Sequence, residues 1–309
     1  MANIIVSIFI LTYNQEQFIA QTIESILMQQ TNFTYQLVIG EDCSTDSTRQ
    51  ICENYALQYP EKIKLLPALE KNCGLIANYM RTFKECDGKY IAICDGDDYW
   101  IDAYKLQKQL DFLENNPDFF IVYTNLNKLY PNGAIKKAYT KYPRKDADFT
   151  DLIKDNFIPS VTALFRNVQS VQNELPSWVL NFPYGDWPTY LWTIKNRGKI
   201  YFLDEVTAVY RMDIGVSFNI IKKNSELLNV NLEILNQMLK DATFDNRKES
   251  IQAEIVQKNI SLMVSYNRES NFIKGLHQLI LNLKVNDNKF SILKLYLYSI
   301  YKKLLLLIS

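Results

Sequence analysis

The sequence predicts an α/β fold: a mostly parallel sheet with helices on both faces, followed by a C-terminal α-helical extension. Three observations lead there. Short apolar runs alternate with stretches of helical period over the first hundred residues. Polar clusters recur where the runs end, and strand signals cease beyond about Asn219. Strand–helix alternation with short connections builds right-handed βαβ units, which form parallel sheets covered on both sides.

The elements follow in order. Ile4–Leu11 is a short apolar run and reads as a buried strand. Gln15–Gln29 places Phe18, Ile19, Ile23, Ile26 and Leu27 at helical spacing. Tyr35–Gly40 reads as the second strand, and Asp46–Tyr59 as a helix that Asp46 or Ser47 would cap. Ile63–Leu66 and Tyr90–Cys94 are further strands flanking a helix at Leu75–Cys86. Then come a helix at Tyr104–Glu114 and a strand at Phe120–Thr124. Asn125–Asp148, rich in Lys, Tyr, Pro and Asn, reads as a loop or hairpin crossing the crevice. Pro159–Phe165 looks like a strand, Asp186–Asn196 a helix, and Lys199–Leu203 and Val206–Tyr210 two short strands. Long amphipathic helices at Ser225–Lys240, Glu249–Tyr266 and Phe290–Ile308 make up the extension.

Composition narrows the function classes. The 309 residues are 48% hydrophobic and 22% charged, which excludes a disordered, collagenous or fibrous chain. Thirty-four basic residues balance 34 acidic ones, so no bulk field draws the protein to nucleic acid. One histidine excludes sites that need two and leaves carboxylates as the metal ligands to consider. The five cysteines, an odd number without a CxxC pair, suit a reduced, cytosolic compartment. Ile4–Leu11 lacks the flanks of a secretory signal, and no run of eighteen uncharged apolar residues occurs. The expectation is a soluble or surface-bound cytoplasmic protein.

Thr12-Tyr13-Asn14, Glu41–Asp46 and Asp95-Gly96-Asp97-Asp98 each follow the carboxyl end of an expected strand. Ligands of open α/β sheets bind outside those ends, so three distant segments converge on one crevice. Asp95, Asp97 and Asp98 put three carboxylates in four positions. Grouped carboxylates repel one another until a cation neutralises them, which favours a hard divalent metal, Mn2+ or Mg2+, completed by substrate phosphates. The plainer reading is a solvated acidic turn before the next helix.

Four segments, VSIFILTYNQEQFIAQTIESILMQQ, LVIGEDCSTDST, KNCGLIANYMRTFKECDGKYIAICDGDDYW and YGDWPTYLWTIKNRGKIYFLDEVTAVYR, closely resemble the family 2 glycosyltransferases. The likeness runs from about Ile4 to Ser217, two thirds of the chain. It implies the GT-A fold, a Rossmann-like nucleotide-diphospho-sugar transferase architecture. The catalytic domain would be residues 1–218, with a nucleotide-binding half (1–100), an acceptor half (101–218) and the helical extension at 219–309.

The resemblance also assigns roles. Thr12, Tyr13 and Asn14 would shape the base pocket, with Asp42 hydrogen-bonding the base, Glu41 beside it and Asn78 bordering the donor. UDP is the default nucleotide, because a carboxylate accepts the uracil N–H. Asp95 and Asp97 form the family's DxD: Asp97 would ligate the metal, Asp95 and Gly96 would meet the donor, and Asp98 would add a ligand or orient the loop. Asp186, alone here beside Gly185, would be the catalytic base, or else a helix cap. Trp187 would floor the acceptor site or lie buried. Relatives often continue Tyr-Arg-x-His where this chain has Tyr210-Arg211-Met212-Asp213. Arg211 would pair with the diphosphate or cap a strand, and Asp213 would replace the histidine or leave the metal to Asp97 and phosphates. His277, far away in the extension, reads as a surface residue, and Cys43, Cys73 and Cys94 as core fillers.

The reading that results is a metal-dependent inverting glycosyltransferase of cell-surface polysaccharide synthesis. Its partners would be a nucleotide-sugar donor and a saccharide or lipid-linked acceptor. The alternatives are a catalytically silent relative serving as a scaffold, and a sugar-phosphate nucleotidyltransferase. The latter is disfavoured by Thr12-Tyr13-Asn14-Gln15, where a Gly-rich basic loop would stand. From Asn271 onward there are six lysines against one aspartate and no glutamate. Leu293, Leu297, Ile300, Leu304 and Leu307 form a stripe, suited either to peripheral membrane contact or to packing or self-association through residues 290–309.

Overall fold

In the computed structural model, residues 4–140, 143–169, 173–214 and 223–308 are described. The chain divides into two compact units, Met1–Val216 and Ser217–Ser309.

The first unit is built on a sheet whose central strand β1 (Val6–Thr12) is buried at every position. Such a strand carries no alternation because helices cover both of its faces. β2 (Tyr35–Glu41), β3 (Ile63–Leu65) and β4 (Tyr90–Ile93) run parallel to it, in the order β3-β2-β1-β4. The crossovers are α1 (Ile19–Leu27), α2 (Thr48–Gln58) and α3 (Leu75–Lys84). Ile19, Ile23 and Ile26 of α1 fall on one face and are fully buried.

The second half departs from parallel pairing. After β5 (Tyr99–Trp100) and α4 (Lys105–Asn115) come β6 (Phe119–Leu129), β7 (Ile135–Lys136) and α5 (Phe149–Leu152). β8 (Leu164–Arg166), α6 (Asp186–Thr193) and β9 (Lys199–Arg211) complete the unit. β8 lies antiparallel between β4 and β6, β5 pairs antiparallel with β9, and β6 runs parallel to β9. The sheet is therefore mixed, parallel in its first four strands.

Several expected elements changed shape. Lys199–Leu203 and Val206–Tyr210 are one strand with a bulge, since Leu203 pairs with Thr124 and Val206 with Asn125. Pairing with that long strand carries β6 on to Leu129, and of the loop or hairpin expected over 125–148 the hairpin is found at its start, where β7 turns back on β6. The strand expected from Pro159 starts as a 3-10 turn at Ser160–Thr162, and only Leu164–Arg166 pairs.

The second unit holds α7 (Asn224–Lys240), α8 (Lys248–Arg268), α9 (Phe272–Val285) and α10 (Lys289–Ile308). Met263, Leu279, Ile292 and Tyr296 form a small core there. The sequence reading missed α9, because Gly275, Gln278 and Asn282 on its buried face break the apolar period. No described helix is long and apolar enough to cross a membrane.

Candidate active site

The strand ends meet as the topology requires. Thr12 and Glu41 are partners in the β1–β2 register, and Asp42 N–H donates to the Thr12 carbonyl (3.1 Å). From the other side, Gly96 N–H donates to the Leu11 carbonyl (2.9 Å). A Cβ at Gly96 would lie 2.4 Å from Gln15 Oε1 and 2.9 Å from Thr12 Oγ1, so only glycine lets this turn rest on β1. Asn14 holds a left-handed backbone (φ 51°), which asparagine tolerates. Its N–H donates to Ser44 Oγ (2.9 Å) and its Oδ1 accepts Thr45 N–H (2.8 Å). Tyr13 is half-exposed between them. Asp46 accepts the N–H groups of Thr48 and Glu16, which ties both loops to the start of α2 and keeps its carboxyl below the usual range.

Glu41, Asp42 and Asn78 are all buried. Asp42 accepts backbone N–H bonds from Cys73 (2.8 Å) and Gly74 (3.0 Å), one on each oxygen, and so anchors the 71–74 loop at the crevice. Glu41 Oε1 accepts Ser44 N–H (2.6 Å), while Arg49 lies 3.7 Å from Oε2. Asn78 donates to the Gly40 carbonyl (2.7 Å) and accepts from Arg81 Nε (2.8 Å), pinning α3 to β2. Among the cysteines Cys94 is buried, but Cys73 is exposed and donates to Asp42 Oδ1, so it is no core filler.

The Asp95–Asp98 turn is a concentration of desolvated negative charge. Burial, then the neighbouring Asp97 and Asp186, push Asp95 up to about 7, against a hydrogen bond from Ser160 Oγ (3.2 Å). Burial also raises Asp97, opposed by its own backbone N–H, Arg211 and Gln15. Asp98 is raised most plainly, by burial and then by Asp97 and Asp95. Its Oδ1 accepts Arg211 N–H (2.9 Å). The three carboxylates face different neighbours, and among the described residues no three His, Cys, Asp or Glu side chains gather as one metal-binding set. Thr12 Oγ1, Gln15 Oε1 and Asp98 Oδ2 are nonetheless buried without a hydrogen-bond partner in the chain. Such orphaned oxygens, beside carboxylates that resist ionising, fit a hard cation arriving with a phosphorylated ligand that supplies the remaining ligands.

Arg211 is buried in this arrangement rather than free in the crevice. Its guanidinium lies between the rings of Phe18 (4.8 Å) and Tyr99 (4.7 Å) and donates to the Asp97 carbonyl and to Gln21 Oε1. Its contacts brace the turn from behind. Asp213 is exposed in a left-handed turn (φ 61°) after β9.

Asp186 opens α6, and it lies close enough to Asp95 to help raise that carboxyl. Burial raises Asp186 as well, against the N–H of Trp187 and a bond from Asn156 Nδ2 (2.8 Å) to Oδ2. Trp187 does not floor an acceptor site: it is buried and its indole N–H donates to the Leu152 carbonyl (2.8 Å). Gln15, Asn156 and Ser160 also meet the acidic groups, and Gln21 meets Arg211; no local pattern marks them in sequence.

Residues 7–168 match the profile described as Glycosyl transferase family 2. The chain belongs to this family. A family 2 relative, the putative teichuronic acid biosynthesis glycosyltransferase TuaG of Bacillus subtilis, is 28% identical over 208 residues, covering 67% of this chain and 79% of its own. An uncharacterized protein of Mycobacterium tuberculosis is 32% identical over 207 residues, 66% of this chain; the match spans 58% of that relative's length. The fold is shared with S. aureus TarS 1-349, solved in complex with UDP-GlcNAc, at a TM-score of 0.64 and 19% identity, over 91% of this chain and 80% of that one.

Proposed function

We propose that this family 2 member is a metal-dependent inverting glycosyltransferase that moves a sugar from a nucleotide-sugar donor to a hydroxyl of a saccharide or lipid-linked acceptor. The observation that carries the reading is the match of residues 7–168 to the family 2 profile, on a chain where a buried acidic turn follows β4 and Asp186 opens α6. One carboxylate is thus available to the acceptor beside a donor site that demands neutralisation. The TarS complex with UDP-GlcNAc favours a UDP-linked donor, and the name of TuaG favours a surface polysaccharide as product. Transfer would then occur on the cytoplasmic side of the membrane.

Asp97 and Asp95 would hold Mn2+ or Mg2+ together with the donor's phosphates. When bound, the cation neutralises charge that collects on the departing diphosphate. The other steps belong to the chain. Thr12, Tyr13, Asn14 and Asp42 border the base and ribose, while Glu41, Asn78 and Arg211 hold those loops and the acidic turn in place. Asp186 takes the proton of the acceptor hydroxyl, whose oxygen attacks the anomeric carbon from the face opposite the nucleotide. The bond from that carbon to the diphosphate oxygen breaks and the configuration inverts. A raised pKa suits this task, because a base is most effective when its pKa lies near the working pH. Asn156 orients the carboxylate through Oδ2.

A screen of UDP-, GDP- and TDP-sugars with manganese, scored for donor hydrolysis and transfer, tests the reading. Asp186→Asn is expected to cut transfer about 10²-fold or more while nucleotide affinity stays put. Transfer at the parent's rate by that variant would move the base elsewhere, and no turnover of any donor would sink the activity itself.

A further inference from the structure

The helical unit wears its apolar residues on the outside. On α9 the buried face consists of Gly275, Gln278, Leu279 and Asn282. Gln278 Nε2 donates to Asn259 Oδ1 (2.7 Å), and Asn282 Nδ2 to the Asn259 carbonyl (3.1 Å), so this helix is held to α8 through a polar seam. Ile273, Leu276, Ile280 and Val285 point to solvent instead, with Ile273 at 85% and Val285 at 65% exposure.

Helix α10 repeats the inversion. Ile292, Tyr296 and Ser299 are buried, the last accepting from Asn267 Nδ2 (2.8 Å). Most of the stripe expected from sequence is not the packed one: Leu293, Leu297 and Leu304 are exposed and Ile300 is half-buried, while the Leu307 side chain lies outside the described residues. Phe290 (79% exposed), Leu293, Leu297 (56%), Tyr301 and Leu304 follow i, i+3, i+7, i+11 and i+14 spacing along one outward line. Exposed contiguous apolar surface of this kind marks an interaction site.

We propose that the outward faces of α9 and α10 bind an anionic phospholipid surface. Charge selects this occupant. Lys274, Lys284, Lys289, Lys294 and Lys302 are exposed on or beside these helices, and from Asn271 to the C-terminus Asp287 is the sole acidic residue. An apolar line flanked by lysines inserts its rings and leucines at the headgroup boundary and sets its ammonium groups against lipid phosphates. A protein partner that merely covered the leucines would have no use for so one-sided a charge.

The test sediments the full chain with phosphatidylglycerol vesicles and with phosphatidylcholine vesicles. The parent is expected to pellet with the former at low salt and to stay in solution with the latter. A Leu293→Gln, Leu297→Gln, Leu304→Gln variant should lose at least tenfold in vesicle affinity. A Lys284→Gln, Lys294→Gln, Lys302→Gln variant should lose about fivefold per lysine, on the order of a hundredfold together. All six side chains are exposed, so both variants should melt with the parent. No pelleting at low salt, equal pelleting with both lipids, or unchanged affinity in both variants would overturn the proposal. So would a vesicle-free dimer that the leucine variant splits, since the face would then be a protein interface.

Discussion

Replacing Arg211 by alanine separates two roles for this side chain. If it braces the acidic turn, the loss is structural. The guanidinium makes two hydrogen bonds, to the Asp97 carbonyl and Gln21, and two ring contacts, with Phe18 and Tyr99. Bonds from a charged donor contribute about 1.5–3 kcal/mol each and cation–π contacts about 0.5–1 each. One group makes them all, so the terms overlap, and a net loss of about 3 kcal/mol is expected. For a unit of 150–250 residues that lowers the melting temperature by about 6–12 °C. All four tryptophans, Trp100, Trp178, Trp187 and Trp192, lie within Met1–Val216, so tryptophan fluorescence follows this unit alone. Arg211 also opposes the raised pKa of Asp97 and Asp98, so its loss should move the acidic limb of nucleotide binding to higher pH. Arg211→Lys should recover little, because an ammonium cannot span both acceptors between two rings. A variant that melts within a degree of the parent yet loses UDP affinity would refute the bracing role and return Arg211 to the diphosphate.

Asp97→Asn is expected to abolish manganese-dependent UDP binding in calorimetry while the protein keeps its melting temperature, because an amide is a poor ligand for a hard cation. For the metal-free protein, Asp95 titrates near 7 when folded against the ordinary carboxylate value when unfolded. The folded state holds the extra proton between those values, so stability should fall as pH rises from about 4 to 7. Urea unfolding at pH 5 and pH 8 should show that slope, by about 1–2 kcal/mol after allowance for partial exposure, and Asp95→Asn should reduce it to what the raised Asp97, Asp98 and Asp186 contribute. Gly185→Ala should cost about 1–3 kcal/mol and lower kcat with little change in UDP affinity, since a Cβ there would lie 2.7 Å from the Tyr79 ring; an unchanged kcat would uncouple this packing from the base.

What the sequence revealed and what it hid divide along physical lines. β1 to β4 were legible because a parallel strand buried on both faces is a continuous apolar run, and the polar residues after each run had to share one edge. Asp95–Asp98 was legible as a run of carboxylates at a strand end, while Asp186 stood out only through the resemblance to the family. Partners joined across long separations were not. Arg211 meets Gln21 over 190 residues and Tyr79 meets Thr189 over 110, pairings that no periodicity encodes. The antiparallel entry of β8 was equally invisible, because strand direction is a property of the sheet and not of three residues. α9 was missed because Gly275, Gln278 and Asn282 stand on its buried face, where an apolar period would be sought.

Packing around α6 bears directly on the proposed role of Asp186. Tyr79 is buried under α6, donates to Thr189 Oγ1 (2.9 Å), meets Phe9 edge-on at 5.1 Å and stacks with Phe83 at 6.0 Å. Its ring occupies the space that a side chain at 185 would need, so the chain has glycine there and a single acid at the start of the helix. With one carboxylate in place of two, no adjacent negative charge shares the burden, and burial alone dominates the raised pKa of Asp186. The same tyrosine locks α3, which Asn78 ties to β2 beside Glu41 and Asp42, onto α6. The loops after β1 and β2 and the start of α6 are thus tied together through Tyr79, so under the proposed roles one contact would set the donor side against the base. A substitution at Tyr79 would act on both sides at once.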